Sequence, residues 1–349
     1  MEPVRTTRTF EALVAEMVPT VEAEMRAILQ PGSDTVGGAG ELYGMMQYHM
    51  GWLDAGLQPV SAATGKRIRP VLCLLSCGAA GGDWQQAIPA AAAVELLHNF
   101  TLIHDDIQDG SPTRRGRDTV WQIWGVPQAI NAGDAMFALA HRALYGLAER
   151  GVEPAIVVEA ARRFDDTCLV LTEGQYHDMR FESRDEVQVD EYLSMIGGKT
   201  AALLALCSEL GALIAGAGRE TVSHYAAFAR DLGLAFQVRD DILGIWGDEA
   251  AIGKSAATDV ETRKKTLPVL YGLAQSQALR DLYGRKENGD NFVAEVVALL
   301  DEAGARDYAQ QEAARYSSSA LHHLEASGAD GENGRALLEL ANRLLRRDS

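Results

Sequence analysis

Two aspartate clusters, about 130 residues apart, carry the side chains in this sequence that are best suited to chemistry. The first is Asp105-Asp106-Ile107-Gln108-Asp109 and the second is Asp240-Asp241-Ile242-Leu243-Gly244, and each ends a long apolar, helix-like run. Carboxylates packed this densely repel one another unless cations hold them. Divalent cations such as Mg²⁺ and Ca²⁺ take carboxylate oxygens as ligands. We therefore interpret the two clusters as parts of a metal-bridged site for a polyanion.

The first cluster has the spacing of one helix face. Each residue of an α-helix turns by about 100°, so Asp105 and Asp109 project from the same side, with Asp106 alongside. Gly110-Ser111-Pro112 follows at once and predicts the end of the helix. The carboxylates then lie where the helix dipole is already negative, which is costly without a cation. The alternative interpretation is a solvated acidic helix end.

Basic residues stand close to these acids in the sequence. Arg114 and Arg115 follow the first cluster, an arrangement that suits a diphosphate held by Mg²⁺ on one side and by guanidinium on the other. The pieces Gly65-Lys66-Arg67-Ile68-Arg69-Pro70 and Gly197-Gly198-Lys199-Thr200 precede apolar helical runs, and anions bind well at helix N-termini. Gly253-Lys254 follows the second cluster. Each piece alone could equally be a solvated loop.

The bulk composition limits the class of protein. The chain has 349 residues, of which 47% are hydrophobic and 23% charged, enough for one large bundle or two modest domains. A net charge of -17 argues against nucleic acid or an anionic membrane as the main partner. The four cysteines form no CxxC pair and are expected to be reduced thiols. No apolar signal region follows the start, so we expect a cytoplasmic protein.

Apolar residues recur at helical spacing nearly throughout, and no alternating strand of useful length is found. We expect an all-α, single-domain bundle over residues 1–349, with a helical tail over about 290–349 that is interrupted between Ala326 and Gly334. The apolar stretch Ala201 to Gly218 contains Ser208 and Glu209 and is expected to be a buried helix, so no integral membrane segment is predicted. The predicted helices run over Phe10 to Leu29, Tyr43 to Leu57, Arg69 to Cys77, Gln85 to Asp109, Ala129 to Arg150, Pro154 to Arg180, Lys199 to Ala215, Glu220 to Trp246 and Leu267 to Ala274.

Taken together, the motifs resemble those of the trans-isoprenyl diphosphate synthases, or polyprenyl synthetases, and among these a geranylgeranyl diphosphate synthase. They match in order between about residue 40 and about residue 275. The matching pieces are Gly65-Lys66-Arg67-Ile68-Arg69-Pro70, Leu97-His98-Asn99 leading to the first cluster, Arg114-Arg115-Gly116, Lys199-Thr200, and Phe236-Gln237 leading to Asp240-Asp241. Any one of them would be weak, whereas five in order are specific.

The resemblance implies an antiparallel helical bundle around a deep central cavity, usually a homodimer, with the two aspartate-rich helices facing each other at the cavity mouth. Three Mg²⁺ ions, which Mn²⁺ can replace, would bridge these helices to an allylic diphosphate. The implied metal ligands are Asp105, Asp106, Asp109, Asp240 and Asp241. The second cluster departs from the family pattern, which often has a third aspartate where this chain has Gly244.

The resemblance also implies two diphosphate sites. The allylic diphosphate would be bound by Arg114, Lys199 and Lys254, with Thr200 and Gln237 beside it. Isopentenyl diphosphate would be bound by Lys66, Arg69, His98 and Arg115. The implied reaction is head-to-tail condensation, in which the allylic C–O bond ionises, the isopentenyl double bond attacks the cation, and a proton is lost to the released pyrophosphate.

Product length in such enzymes depends on the residues before the first cluster. Thr101 is small and leaves room below a C15 chain, whereas Phe100 is the aromatic expected to form the floor near C20. On a helical wheel, however, Phe100 lies about 140° from Asp105, so the side chain could simply pack in the core. Geranylgeranyl diphosphate is the expected product, with farnesyl diphosphate and longer chains as alternatives.

Three other functions remain open from the sequence. A terpene cyclase of the same fold would use similar metals but would not need a second diphosphate site. A non-catalytic subunit of a synthase would be expected to lose metal carboxylates, of which this chain keeps five of the usual six. A helical bundle whose acidic patches bind Ca²⁺ or nothing is the third possibility, although no EF-hand spacing supports it.

Overall fold

A computed structural model describes residues 8–32, 39–62, 65–247, 258–285, 289 and 291–346. The described part is almost entirely helical, which confirms the all-α expectation. Its helices are α1 (Phe10–Ile28), α2 (Gly40–His49), α3 (Ile68–Ala79), α4 (Ile88–Gln108), α5 (Val120–Trp124), α6 (Val126–Glu149), α7 (Pro154–Glu182), α8 (Val189–Ile196), α9 (Ala202–Ile214), α10 (Arg219–Trp246), α11 (Thr258–Glu261), α12 (Leu267–Gln275), α13 (Gln277–Tyr283), α14 (Phe292–Glu302), α15 (Ala305–Ala326) and α16 (Gly331–Leu345).

Two sequence predictions differ from the structure. The helix expected over Tyr43 to Leu57 ends at His49, because Gly51 adopts a left-handed backbone conformation with φ of 81° and the Trp52 amide donates back to the Gln47 carbonyl at 3.0 Å. The Gly-Gly-Lys-Thr piece does not open a helix. Instead, a π-helical turn over Gly197–Ala201 joins α8 to α9 without a break, so Lys199 has no helix N-terminus beside it.

The chain forms two compact units. The first unit comprises 1–164, 207–222 and 329–337, and the second comprises 165–206, 223–328 and 338–349. The single-domain expectation stays a prediction. The predicted interruption of the tail lies where α15 ends at Ala326 and α16 begins at Gly331.

The first unit is built around α4, which packs against α1, α3 and α6. The run Ala90 to Ala93 is fully buried, and such small side chains let neighbouring helices approach closely. Arg67, at the cap of α3, adopts a left-handed backbone conformation with φ of 49°. Its buried guanidinium pairs with Glu95 at 2.6 Å and with Glu22 at 2.9 Å. These ion pairs fix the Lys66–Arg69 segment against α1 and α4.

A short hairpin follows α4 and carries the two arginines of interest. Strand β1 (Thr113–Arg114) pairs antiparallel with β2 (Arg117–Asp118), and Arg115 turns the chain with a positive φ of 53°. Arg117 donates hydrogen bonds to the carbonyls of Tyr48 and Leu53 and stacks over the Tyr48 ring at 4.0 Å. Arg117 therefore anchors the hairpin to α2 and leaves Arg114 and Arg115 to face other groups.

The second unit has two apolar clusters that position α10. One surrounds the start of α12 and includes Tyr192, Val238 and Leu267, and the other includes Ile245 and Val260. The segment Val189–Ile214 is long and apolar enough to cross a membrane by length and composition alone. However, 61% of its most apolar window is buried inside the protein. Burial inside the protein agrees with the buried helix predicted from Ala201 onwards.

Candidate active site

The first aspartate cluster lies at the C-terminal end of α4, as predicted. Asp106 is 2% exposed, and its carboxylate accepts a hydrogen bond from Arg114 Nε at 2.8 Å. Asp105 is half-buried, and Asp109 is exposed at the helix cap. Burial raises the pKa of Asp106, whereas the Arg114 guanidinium opposes the shift. The predicted acidic and basic partners are therefore in direct contact in the first unit.

Basic and imidazole side chains converge in the same unit. Burial lowers the pKa of His98 well below its usual value, and the charges of Arg69 and Arg115 lower it further. Arg115 also packs against the loop that precedes α3, because a Cβ placed on Gly65 would lie 3.2 Å from Arg115 Nη2. The Nε of Arg69 is buried and has no hydrogen-bond partner within the described residues. The structure thus brings together Arg69, His98 and Arg115, with the exposed Lys66 next to Gly65.

His49, at the end of α2, lies among these groups and has no motif that would reveal it. Burial lowers its pKa to about 3, and the nearby charges of Arg115 and Arg114 add to the shift. Its ring is therefore neutral at neutral pH. A neutral imidazole can donate one hydrogen bond to an anion without adding to the repulsion among the arginines.

In the second unit, Asp241 is 1% exposed and is held by three hydrogen bonds. Its Oδ2 accepts from Tyr192 Oη at 2.6 Å and from the Leu267 amide at 3.2 Å, and its Oδ1 accepts from Gln237 Nε2 at 3.2 Å. Burial raises the pKa of Asp241 to about 6, although these donors and the charge of Lys264 oppose the shift. Asp241 thus ties α10 to α8 and to the first residue of α12.

Other predicted residues of the second unit are also linked. Thr200 donates from Oγ1 to Gln237 Oε1 at 3.1 Å, and Gln237 is the residue bonded to the Asp241 carboxylate. Lys199 forms an ion pair with Asp178 of α7. Asp240 is half-buried on α10. One hydrogen-bonded chain therefore contains Thr200, Gln237 and Asp241, whereas Lys199 contacts a carboxylate that no motif had indicated.

Gly244, where the second cluster lacks a third aspartate, has no room for a side chain. A Cβ placed on it would lie 2.2 Å from Asp259 Oδ2. The carboxylate of Asp259, from α11, therefore occupies the space of the missing side chain. Burial raises the pKa of Tyr192 most, followed by the nearby carboxylates of Asp241, Asp178 and then Asp259. A third carboxylate is thus present beside the second cluster, although a different helix supplies it.

The remaining predicted residues have different outcomes. Phe100 is half-buried and packs against the rings of His104 and Phe137, with centroids 4.7 and 4.8 Å away. Thr101 is also half-buried, and its hydroxyl donates to the His98 carbonyl at 2.7 Å. Lys254 lies outside the described residues.

The oxygen-rich donor set of the two clusters fits Mg²⁺ in chemical type. Mg²⁺ is commonly held by one or two carboxylates together with substrate phosphates rather than by a complete protein cage. Among the described residues, no three acidic, histidine or cysteine side chains converge into a metal site of their own. Asp106 and Asp241 already have hydrogen-bond donors, and any metal contact would be added to those bonds.

The sequence is similar to those of one known enzyme family. A profile of polyprenyl synthetases matches residues 50–300. The chain belongs to the polyprenyl synthetase family. It is 44% identical over 272 residues to a geranylgeranyl diphosphate synthase of Mycobacterium tuberculosis, covering 76% of this chain and 77% of that one. It is 40% identical over 313 residues to a (2E,6E)-farnesyl diphosphate synthase of Mycobacterium bovis, covering 87% and 86%.

Solved structures agree with this membership. The polyprenyl synthetase of Streptomyces coelicolor A3(2) superposes with a TM-score of 0.85 at 36% identity, covering 96% of this chain and 99% of that one. The geranylgeranyl pyrophosphate synthetase of Pyrococcus horikoshii gives a TM-score of 0.85 at 31% identity, with coverages of 97% and 99%. The expected family is confirmed, and this polyprenyl synthetase is a trans-prenyltransferase.

The residues that sequence reasoning missed come from segments that are distant along the chain from the groups they contact. They are His49, Asp178, Tyr192 and Asp259. None stands in a cluster of like residues, so no local pattern indicates them.

Proposed function

We propose that this enzyme condenses isopentenyl diphosphate head-to-tail with an allylic diphosphate in a Mg²⁺-dependent reaction and that its main product is the C20 geranylgeranyl diphosphate. The observation that carries the proposal is the pairing of an acidic site with a separate basic one. Asp106 contacts Arg114, while Arg69, His98 and Arg115 converge as a second group. Two anion-binding groups suit a reaction between two diphosphates.

The allylic diphosphate is assigned to the aspartate clusters together with Arg114, Lys199 and Lys254. Mg²⁺, when bound, supplies positive charge to the oxygens of the departing diphosphate. We assign three ions, with Mn²⁺ as a possible replacement, to Asp105, Asp106, Asp109, Asp240 and Asp241. Arg114 and Lys199 each contact a carboxylate in the structure, so their charges are already oriented by Asp106 and Asp178. Charges placed on the leaving oxygens before reaction lower the barrier to ionisation of the C–O bond.

Isopentenyl diphosphate is assigned to Lys66, Arg69, His98 and Arg115. The Nε of Arg69 is buried and finds no hydrogen-bond partner among the described residues, which suits an anionic or polar ligand. The low pKa of His98 leaves its ring neutral, and the ring can donate a single hydrogen bond. Held there, the isopentenyl double bond attacks the allylic cation, and the pyrophosphate released in the first step accepts the proton that is lost.

The C20 length is supported by the residues before the first cluster and by relatives of both kinds. Thr101 is small, and Phe100, one residue further from the aspartates, is bulky. The relatives at 44% and 40% identity are named as a geranylgeranyl and a farnesyl diphosphate synthase. Farnesyl diphosphate is therefore the main alternative product, and longer polyprenyl diphosphates come next.

A homodimer is part of the proposal because α7 exposes several large apolar side chains. Leu169 and Tyr176 are 66% and 57% exposed and lie seven residues apart on one helix face, and Val170 and Met179 near them are each 41% exposed. A cluster of exposed apolar side chains commonly marks a protein contact. Size-exclusion chromatography with light scattering would give the mass of a dimer, and a monomeric mass at micromolar concentration would contradict this assignment. A cytoplasmic location remains a prediction.

Product analysis tests the proposed reaction against its rivals. Purified enzyme is incubated with Mg²⁺ and isopentenyl diphosphate plus dimethylallyl, geranyl or farnesyl diphosphate, and the products are separated by mass. We expect a C20 diphosphate from each primer. A cyclic hydrocarbon made from farnesyl diphosphate alone would favour a terpene cyclase. Indifference of turnover to Asp105→Ala and Asp240→Ala would favour a non-catalytic subunit.

A further inference from the structure

Lys265, two residues before the start of α12, caps the C-terminal end of α7. Its Nζ donates a hydrogen bond to the Phe181 carbonyl at 2.7 Å and another to the Arg184 carbonyl. The last carbonyls of a helix lack donors within the helix, and a positive charge beside them also complements the helix dipole. Lys265 is half-buried, and this burial lowers the pKa of its ammonium group. One side chain therefore ties the end of α7 to the start of α12.

The position of α7 in turn determines where Lys199 lies. A Cβ placed on Gly174 would lie 2.3 Å from the backbone nitrogen of Lys199, so the backbones of α7 and of the π-helical turn are in direct contact. One turn further along α7, the Asp178 carboxylate forms an ion pair with the Lys199 ammonium group. A movement of the end of α7 would therefore displace the charge of Lys199.

The chain segment 264–267, which contains Lys265, also contacts the second aspartate cluster. The Leu267 amide donates to Asp241 Oδ2 at 3.2 Å. Burial raises the pKa of Asp241, and the positive charge of Lys264 is among the effects that oppose this rise. Lys265 lies between these two residues in the sequence. The segment thus contacts the Asp241 carboxylate and, through Lys265, the end of α7.

Apolar packing supports the same connection. Phe181 of α7, Tyr192 of α8, and Leu267 and Leu270 of α12 belong to one apolar cluster, and each is at most 5% exposed. Close-packed interiors transmit a displacement to their neighbours instead of absorbing it. A shift of Phe181 would therefore reach Tyr192 and Leu267, which both donate hydrogen bonds to Asp241.

We propose that Lys265 is a positioning residue for the condensation. By tying the end of α7 to the segment 264–267, it holds the Lys199 ammonium group and the Asp241 carboxylate in a fixed relation to each other. The proposal rests on the proposed function, which assigns both groups to the allylic diphosphate. Lys265 acts through Lys199 instead of on the substrate, since its own ammonium group is engaged by two carbonyls.

Lys265→Met keeps an unbranched side chain but removes the charge and both hydrogen bonds. We expect kcat to fall about tenfold, because a small displacement of a charge that acts on the leaving oxygens slows the chemical step. The KM for isopentenyl diphosphate should change less than about twofold, since that substrate is assigned to other residues. Lys265→Arg should keep kcat within about threefold of the wild type, because a guanidinium can donate to both carbonyls. A cavity of about 720 Å³ beside Lys265 leaves room for the larger group.

The test measures steady-state kinetics of purified full-length enzymes with Mg²⁺, varying isopentenyl diphosphate and farnesyl diphosphate in turn. Arg280→Met is the matched control, because Arg280 borders the same cavity and donates to carbonyls near the end of a different helix, α12. This control should keep the kcat and both KM values of the wild type. Circular dichroism at the assay temperature shows whether each variant is folded. If Lys265→Met is not folded, Lys265→Gln, which can still donate to a carbonyl, should show a smaller fall in kcat with the same unchanged KM for isopentenyl diphosphate.

A double variant tests whether Lys265 acts through Lys199. Asp178→Ala removes the ion pair by which α7 holds Lys199. In that background, Lys265→Met should lower kcat by less than about threefold further, because changes within one coupled unit are not additive.

Three results would overturn the proposal. One is a further tenfold loss of kcat in the Asp178→Ala background, which would mean that Lys265 acts independently of Lys199. The others are a folded Lys265→Met variant with the kcat of the wild type, and an Arg280→Met variant with the same loss as Lys265→Met. Failure of the wild type to incorporate isopentenyl diphosphate at all would instead refute the proposed function, so the two failures are distinguishable.

Discussion

Replacing Tyr192 with phenylalanine removes one hydroxyl group from a buried hydrogen bond and leaves the apolar ring in place. The hydroxyl donates to Asp241 Oδ2 at 2.6 Å, and both side chains are almost fully buried. Asp241 keeps the Leu267 amide and the Gln237 side chain as donors. The variant therefore isolates the contribution of one donor to a carboxylate that ties α10 to α8.

The expected loss of stability depends on pH, and its sign follows from the pKa of Asp241. Burial raises this pKa from 3.8 to about 6, so the carboxyl group stabilises the fold fully below its usual pKa and loses that contribution as the pH rises through 6. The Tyr192 hydroxyl opposes the shift, so its removal raises the pKa further. We expect a loss of about 1 kcal/mol at pH 5, where the hydrogen bond joins neutral groups, and about 1.5–3 kcal/mol at pH 8, where it joins a charged one.

Urea unfolding of the metal-free enzyme in the presence of EDTA, followed by circular dichroism from pH 5 to pH 8, measures this difference. Tyr145→Phe serves as the control because Tyr145 is 63% exposed, and its free energy of unfolding should stay within about 0.5 kcal/mol of the wild type at every pH. If Tyr192→Phe lowers the free energy of unfolding equally at pH 5 and pH 8, or by no more than Tyr145→Phe does, Tyr192 does not donate a hydrogen bond to an ionising carboxylate.

Three further substitutions test other contacts. Gly244→Ala should destabilise the enzyme by about 1–3 kcal/mol in urea unfolding, because the new Cβ would lie 2.2 Å from Asp259 Oδ2, and a second change, Asp259→Gly, should restore most of the loss. Arg115→Ala should raise the KM for isopentenyl diphosphate about tenfold or more and change the allylic KM less; equal effects on both would contradict separate sites. Arg67→Met should lower the free energy of unfolding by about 3–5 kcal/mol, because it leaves the buried Glu95 carboxylate without its ion-pair partner. A decrease below about 1 kcal/mol would contradict a stabilising role of this ion pair.

The helices and the positions of the acid clusters could be predicted from the sequence because both depend on local patterns. Apolar spacing predicts α4 and α10, and Gly110-Ser111-Pro112 correctly predicts where α4 ends. The contact of Arg114 with Asp106 was also accessible, since only eight residues separate them. In each case the sequence pattern that supports the prediction spans only a few helical turns of one chain segment.

The contacts that complete the site depend on packing between distant segments and could not be predicted in this way. Tyr192 reaches Asp241 across 49 residues, and Asp178 reaches Lys199 across 21. Local patterns were also misleading at Gly197-Gly198, where two glycines suggested the start of a helix. Gly197 and Gly198 are buried, and Gly198 packs against the α7 backbone at Val170 and Gly174. Tertiary packing thus overrides the low helix propensity of glycine, and the segment stays helical as a π turn.

We propose that both aspartate clusters hold Mg²⁺ on the leaving diphosphate, and pyrophosphate release as a function of Mg²⁺ concentration tests this most directly. Wild type, Asp105→Asn and Asp240→Asn are compared with isopentenyl and farnesyl diphosphate as substrates, and Asp301→Asn, an exposed aspartate of α14, serves as the control. We predict that each cluster variant loses about 10²-fold or more in turnover and needs more Mg²⁺ for half-maximal rate, while the control behaves like the wild type. If either cluster variant keeps the turnover and the Mg²⁺ dependence of the wild type, that cluster does not hold Mg²⁺ on the leaving diphosphate.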